Sequence, residues 1–228
     1  MLSSVANIGT ALLMLLALLV ACDAIGSLPV RARTVPWPTF VLTGFAVAGI
    51  VVQIAWDGAM SALDNDPGKA GWWRIVTSVF LQNGGVLGTV WNLVTLALVA
   101  TLASWFWGSI PALVLFVAGA LVPNALGDLA GGNGVGTDPR DFAGSSGATY
   151  FLVATVVGAV AIRRGATRAR ALGWALLVLG IVIWVGLGNA HGLVIAEGFV
   201  VGVVGWMTAG VTSTRGGVGD HGQEARDG

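Results

Sequence analysis

Charge is the scarcest property of this chain. Of 228 residues, 11 are Lys or Arg and 11 are Asp or Glu, so 10% are charged, where a soluble domain carries about 25%. That scarcity excludes a disordered chain and a nucleic-acid binder acting through a basic face. Cysteine occurs once, at Cys22, which excludes a disulfide framework and a thiolate zinc site. The second of the two histidines, His221, lies beside Asp220 in a Gly-rich tail, and two residues there do not make a metal site. No phosphate-binding loop or cofactor motif occurs, so neither metal nor cofactor is expected.

Apolar residues fill the space that charge leaves. They make up 56% of the chain, with a mean hydropathy of +0.85. A bilayer core of about 30 Å takes roughly 20 apolar helical residues. Seven stretches qualify: Val5–Ala24, Thr39–Gly58, Leu87–Trp107, Ile110–Leu126, Ser146–Ile162, Ala171–Gly188 and Ala190–Thr208. They are continuous rather than alternating, which points to helices and away from a barrel. The expected fold is therefore an all-α polytopic membrane protein. Thirty-five glycines follow no fixed period and read as small residues that let membrane helices approach closely.

The basic residues set an expected orientation. Arg31 and Arg33 follow span 1. Arg163, Arg164, Arg168 and Arg170 crowd the loop between spans 5 and 6, and Arg215 and Arg226 lie in the tail. With seven spans these eight share one side, against Lys69, Arg74 and Arg140 on the other. The richer side is expected to be cytoplasmic, which puts the N-terminus outside and the C-terminus inside. The run ending Leu19-Val20-Ala21-Cys22 resembles a lipoprotein signal. No Lys or Arg precedes it, and cleavage there would invert every later span, so it is read as span 1. Two polar loops fall on the outer side, Ala59–Val86 and Gly127–Gly144. The Gly-rich tail is expected to be disordered.

Polar side chains inside spans are costly and mark function by default. Spans 3, 5 and 7 run in the same direction, so their first turns share one membrane face. Near those turns lie Asn92, five residues into span 3, and Ser146 and His191 at the starts of spans 5 and 7. A serine hydroxyl becomes a nucleophile when a base takes its proton, and histidine is the commonest such base. Asparagine donates to an oxyanion. The start of a helix adds free backbone N–H groups. Each residue also has a plain structural reading: Ser as an N-cap, His as a solvated interfacial group, Asn as glue between helices. The Trp residues near span ends read as interfacial anchors. Glu197 is the only acid deep in a span, six residues after His191. Six residues rotate about 240° around a helix, so it points away from the imidazole and is expected to serve packing.

At Gly144-Ser145-Ser146-Gly147 and Ala190-His191 the chain resembles the rhomboid family of intramembrane serine proteases. The resemblance places Ser146 as nucleophile, His191 as base, and Asn92 with the Ser146 backbone N–H as oxyanion donors. Tyr150 falls on the tyrosine that the family stacks on its histidine. Trp73-Arg74 falls on the family's loop motif, and Gly198 on a helix-packing glycine. Gly144 and Gly147 flank the serines as in the motif. The similarity covers about Thr39–Thr208. It implies a six-helix core at 39–210, an extra N-terminal helix and linker at 1–38, and a tail at 211–228. It further implies transmembrane protein substrates, contact with membrane lipids, and residence as a multi-pass protein of a prokaryotic plasma membrane.

Several positions depart from the family pattern. Gly88 stands where the family usually has a second, histidine oxyanion donor. Ser104 replaces a glutamate, Val194 replaces a frequent glycine, and Phe80-Leu81-Gln82-Asn83-Gly84-Gly85 differs from the usual run. Gly88 and Ser104 leave open a rhomboid-like protein that binds membrane partners without cleaving them, and a small transporter is a separate third reading. The transporter reading is the poorer one, because it calls for intramembrane charges and inverted repeats.

Overall fold

The computed structural model describes residues 2–26, 34–66, 68–129, 143–165 and 167–215. Arg31, Arg33, Asp138, Arg140, Asp141, Asp220, His221 and Arg226 lie outside the described residues. Among the described residues every regular element is a helix: α1 Leu2–Gly26, α2 Trp37–Ala55, α3 Ala59–Leu63, α4 Trp73–Ser78, α5 Gly85–Trp107, α6 Ser109–Leu129, α7 Ser146–Ile162, α8 Thr167–Leu187 and α9 Ala190–Arg215.

Each of the seven apolar stretches is a helix. The bounds of α7 match the expectation from sequence, and α9 runs on to Arg215, past the Thr208 at which the apolar run ends. A helix satisfies its own backbone, so it continues beyond the apolar layer without cost in unpaired groups. Two starts and stops are local. Pro36-Trp37-Pro38 opens α2 with a proline in the first helical positions, where the missing N–H is not needed. Gly108, at φ +91, ends α5 and turns the chain directly into α6.

Among the described residues five helices are long and apolar enough to cross a membrane: α1, α2, α5, α8 and α9. The apolar part of α6, Ser109–Pro123, and the 17-residue α7 are shorter. At 1.5 Å per residue α7 measures about 25 Å. Its surroundings are protein: every residue from Ala148 to Ala161 is buried, and α1, α5, α6, α8 and α9 pack around it. The outer surface is apolar instead. Phe40, Phe45 and Ile54 on α2, and Val178, Val182 and Val185 on α8, are exposed. Such a surface needs lipid against it rather than water.

Among the described residues the packing of α7 on α9 is the most extensive between any two helices. A Cβ on Gly158 would strike the Phe199 carbonyl, one on Gly198 the Phe151 carbonyl, and one on Gly202 the Thr155 carbonyl. Helix α1 is part of the same core. Leu13, Met14, Ala17, Val20, Ala21 and Ala24 form a buried stripe on the face turned to α5, α7 and α8.

The loop Ala59–Val86 holds α3 and α4 and is folded around Asp64. Lys69 Nζ lies 2.8 Å from its carboxylate. Arg74 Nη1 donates to the Asp64 carbonyl at 3.1 Å, and its Nε donates to the Ala70 carbonyl at 3.2 Å. The guanidinium sits over the Trp73 ring, 4.8 Å from its centroid. Trp73 and Arg74 thus brace this loop.

Candidate active site

The N-terminal halves of α5, α7 and α9 bring Asn92, Ser146 and His191 together. Ser146, the first residue of α7, places Oγ 3.0 Å from Nε2 of His191 on the first turn of α9, across 45 residues of sequence. Its neighbour Ser145 points elsewhere: Ser145 Oγ is buried and has no hydrogen-bond partner. The close backbone approach of α7 and α9 deeper in the bundle fixes the separation of the two side chains.

The imidazole is held from its other side by Asn189. The His191 backbone N–H donates to Asn189 Oδ1 at 3.0 Å, and His191 Nδ1 lies 3.1 Å from the same oxygen. A backbone N–H only donates, so the atom facing it is the amide oxygen, which only accepts. Nδ1 therefore carries the proton, and Nε2 is left free to accept from the Ser146 hydroxyl. One oxygen both caps α9 and sets the tautomer. Sequence reasoning passed over Asn189. The signal was present in Gly188-Asn189 ahead of Ala190-His191, since Asn is a preferred N-cap after a helix-ending glycine.

Tyr150, one turn below Ser146, packs edge-on against His191, with ring centroids 4.8 Å apart and an interplanar angle of 65°. Its hydroxyl donates to the Thr10 carbonyl of α1 at 2.6 Å, so the N-terminal helix reaches the wall of the site. Glu197 is no neighbour of the dyad by hydrogen bonding: the ring nitrogens of His191 bond to Asn189 and Ser146, and Glu197 Oε2 is buried without a partner.

An empty space lies beside the pair. Gly144, at φ +141, has no side chain, and a Cβ there would sit 3.6 Å from Ser146 Oγ, 3.8 Å from Asn92 Nδ2 and 3.9 Å from the Ser146 backbone nitrogen. A nucleophile, a side-chain amide and a helix-start N–H thus surround one vacant point. Only glycine leaves that point open, and its φ is one that other residues avoid. Gly147 has nothing within 4 Å of a Cβ, so a side chain there would meet open space.

No family model, curated protein or solved structure matches this chain. The functional reading therefore rests on the geometry. A serine hydroxyl bonded to an imidazole of defined tautomer, beside a pocket of hydrogen-bond donors, is arranged for acyl transfer. Among the described residues no group of three or more His, Cys, Asp or Glu could hold a metal ion.

Proposed function

We propose that the chain is an intramembrane serine protease of rhomboid type, and the observation that carries this reading is the 3.0 Å contact between Ser146 Oγ and His191 Nε2. In this proposal α1, α2 and α5–α9 all cross the bilayer, with the N-terminus outside and the C-terminus cytoplasmic. The six helices from α2 onward, leaving aside the short α3 and α4, form the catalytic core, and α1 is an addition to it. The first turns of α5, α7 and α9 then lie toward the outer face, where water can enter.

The mechanism follows from the contacts. Ser146 Oγ attacks the carbonyl carbon of a peptide bond in a transmembrane substrate, and its proton passes to His191 Nε2. The carbonyl π pair moves onto oxygen, which Asn92 Nδ2 and the Ser146 backbone N–H receive. The intermediate collapses, the C–N bond breaks, and His191 returns the proton to the leaving amine. Water attacks the acyl-serine by the same route and releases the acid. Asn189 is a positioning residue: its Oδ1 accepts the hydrogen bond from Nδ1–H and stabilises the imidazolium as it forms.

A fluorophosphonate probe on the full-length protein in detergent tests the reading. Wild type is expected to label and Ser146→Ala to remain unlabelled. Equal labelling of the two, or none in wild type, rejects the protease. A non-cleaving binder of membrane partners is the second reading, favoured by Gly88, where nothing lies within 4 Å of a Cβ. It predicts an unlabelled wild type that still captures transmembrane partners.

Asn189 gives a separate prediction. Asn189→Ser keeps a cap for α9, with a side chain too short to serve Nδ1 as well. Turnover is expected to fall about 10–100-fold, the equivalent of one buried hydrogen bond, with little change in thermal stability. Asn189→Ala is expected to lose the same rate and also about 1 kcal/mol of stability. Rates of cleavage and melting curves measured side by side check both.

A further inference from the structure

Gln82 lies in the segment between α4 and α5 and is 7% exposed. Its Oε1 accepts a hydrogen bond from Asn92 Nδ2 at 2.8 Å. Its Nε2 is buried and has no partner. The two atoms share one carbon, so this unpartnered NH2 lies within about 5 Å of Asn92 Nδ2 by ordinary amide geometry. The backbone of Gln82 is clamped from both directions. Its N–H donates to Gln53 Oε1 at 2.8 Å, and its carbonyl accepts from Gln53 Nε2 at 3.0 Å. The segment is also tied to the serine loop, because the Gly144 N–H donates to the Ser78 carbonyl at 3.0 Å.

An unsatisfied buried amide costs about 1–3 kcal/mol. Gln82 does not relieve that cost by moving, because α2 holds its backbone and Asn92 holds its oxygen. The other buried orphans with donor capacity, Thr43, Ser104 and Ser145, are hydroxyls, which rotate toward nearby carbonyls at little cost. An amide nitrogen fixed beside Asn92 has no such freedom. It is a donor kept waiting for an acceptor, and the acceptor that the proposed reaction creates at this place is the oxyanion.

We propose that Gln82 is a further catalytic residue, donating Nε2–H to the negative oxygen formed when Ser146 adds to a substrate carbonyl. This rests on the protease reading. Gln82 breaks and forms no covalent bond. It receives no proton and releases none; it stabilises the charge that the displaced carbonyl pair places on oxygen. Asn92 and Gln82 then act as a linked pair of amides: Asn92 donates one N–H to Gln82 and the other to the oxyanion, and Gln82 adds a third donor beside Asn92 and the Ser146 backbone N–H.

The test is a double-mutant cycle on the full-length protein in detergent, read by fluorophosphonate labelling rates and by kcat and KM for a transmembrane substrate. Gln82→Met removes the amide at nearly constant volume. It is expected to lower the labelling rate and kcat about 100-fold with KM unchanged, the signature of a donor used only in the transition state. Gln82→His changes the shape as much but retains a donor, and is expected to stay within about tenfold of wild type. The decisive arm is the Asn92→Ala background. A donor acting on its own costs a further large factor there, whereas a residue that only holds Asn92 in place costs nothing more. The proposal is overturned if Gln82→Met matches wild type, if His and Met are equally impaired, or if the Met effect vanishes in Asn92→Ala. Each of these leaves the protease reading standing. A wild type that fails to label overturns both.

Discussion

His191→Ala is expected to lower cleavage of a transmembrane substrate by on the order of 10⁴–10⁶-fold, and Ser146→Ala and the double variant by about the same factor. The equality follows from the 3.0 Å contact. A serine hydroxyl without its base is a weak nucleophile, and an imidazole without its serine has no proton to accept. Once either is gone, the other contributes almost nothing. The rate that remains comes from binding and from the oxyanion donors, which neither substitution touches. The phosphonate label is expected to vanish in all three variants. Single-turnover cleavage in detergent, with product followed over days, gives the residual rate. A double variant slower than either single by the product of their effects would show two groups acting independently, and the dyad would have to be abandoned. Retained labelling in His191→Ala would do the same for the base.

The helices and the Ser–His pair could be expected from sequence for a physical reason. Lipid cannot satisfy backbone groups, so long apolar runs must be helical, and all seven stretches are helices. Once helices are assumed, their parity brings Asn92, Ser146 and His191 to one end of the bundle. Packing was far less legible. In a membrane the side facing lipid and the side facing protein are both apolar, so α1 offered no polar face from which to read its orientation. Its buried stripe from Leu13 to Ala24 and the bond from Tyr150 to the Thr10 carbonyl emerge only in three dimensions. The short helices α3 and α4 were hidden in what read as polar loop, because five and six residues carry too little periodicity to detect. Gln82 and Asn189 were missed for a third reason. Each is tied to a site residue only by a side-chain contact, Gln82 to Asn92 and Asn189 to His191, and no spacing rule connects such a residue to its partner.

Gly202→Ala is expected to destabilise the protein by about 3 kcal/mol and to slow cleavage by about 100-fold, although it adds one methyl group far from the dyad. The added Cβ would run into the Thr155 carbonyl, with Thr155 Cα and its carbonyl carbon within 2.7 Å. These atoms belong to helix backbone, which cannot change rotamer to make room, so α7 and α9 must separate. Gly198, four residues earlier, meets the Phe151 carbonyl in the same way, and Gly158 on α7 receives the Phe199 backbone in return. Three glycines on facing helices therefore set one interaxial distance, as small residues do in membrane helix pairs. Ser146 and His191 stand at the N-terminal ends of these same two helices, and a shift of about 1 Å between them is enough for the rate loss. Gly186→Ala on α8 is the control. Nothing lies within 4 Å of a Cβ there, and alanine is the better helix former, so stability is expected to hold or rise by up to about 1 kcal/mol. Unfolding in a denaturing detergent series, with cleavage measured on the same samples, separates the two variants. If Gly202→Ala unfolds and cleaves like wild type, the glycine contacts do not set the helix spacing, and the dyad geometry must be held by something else.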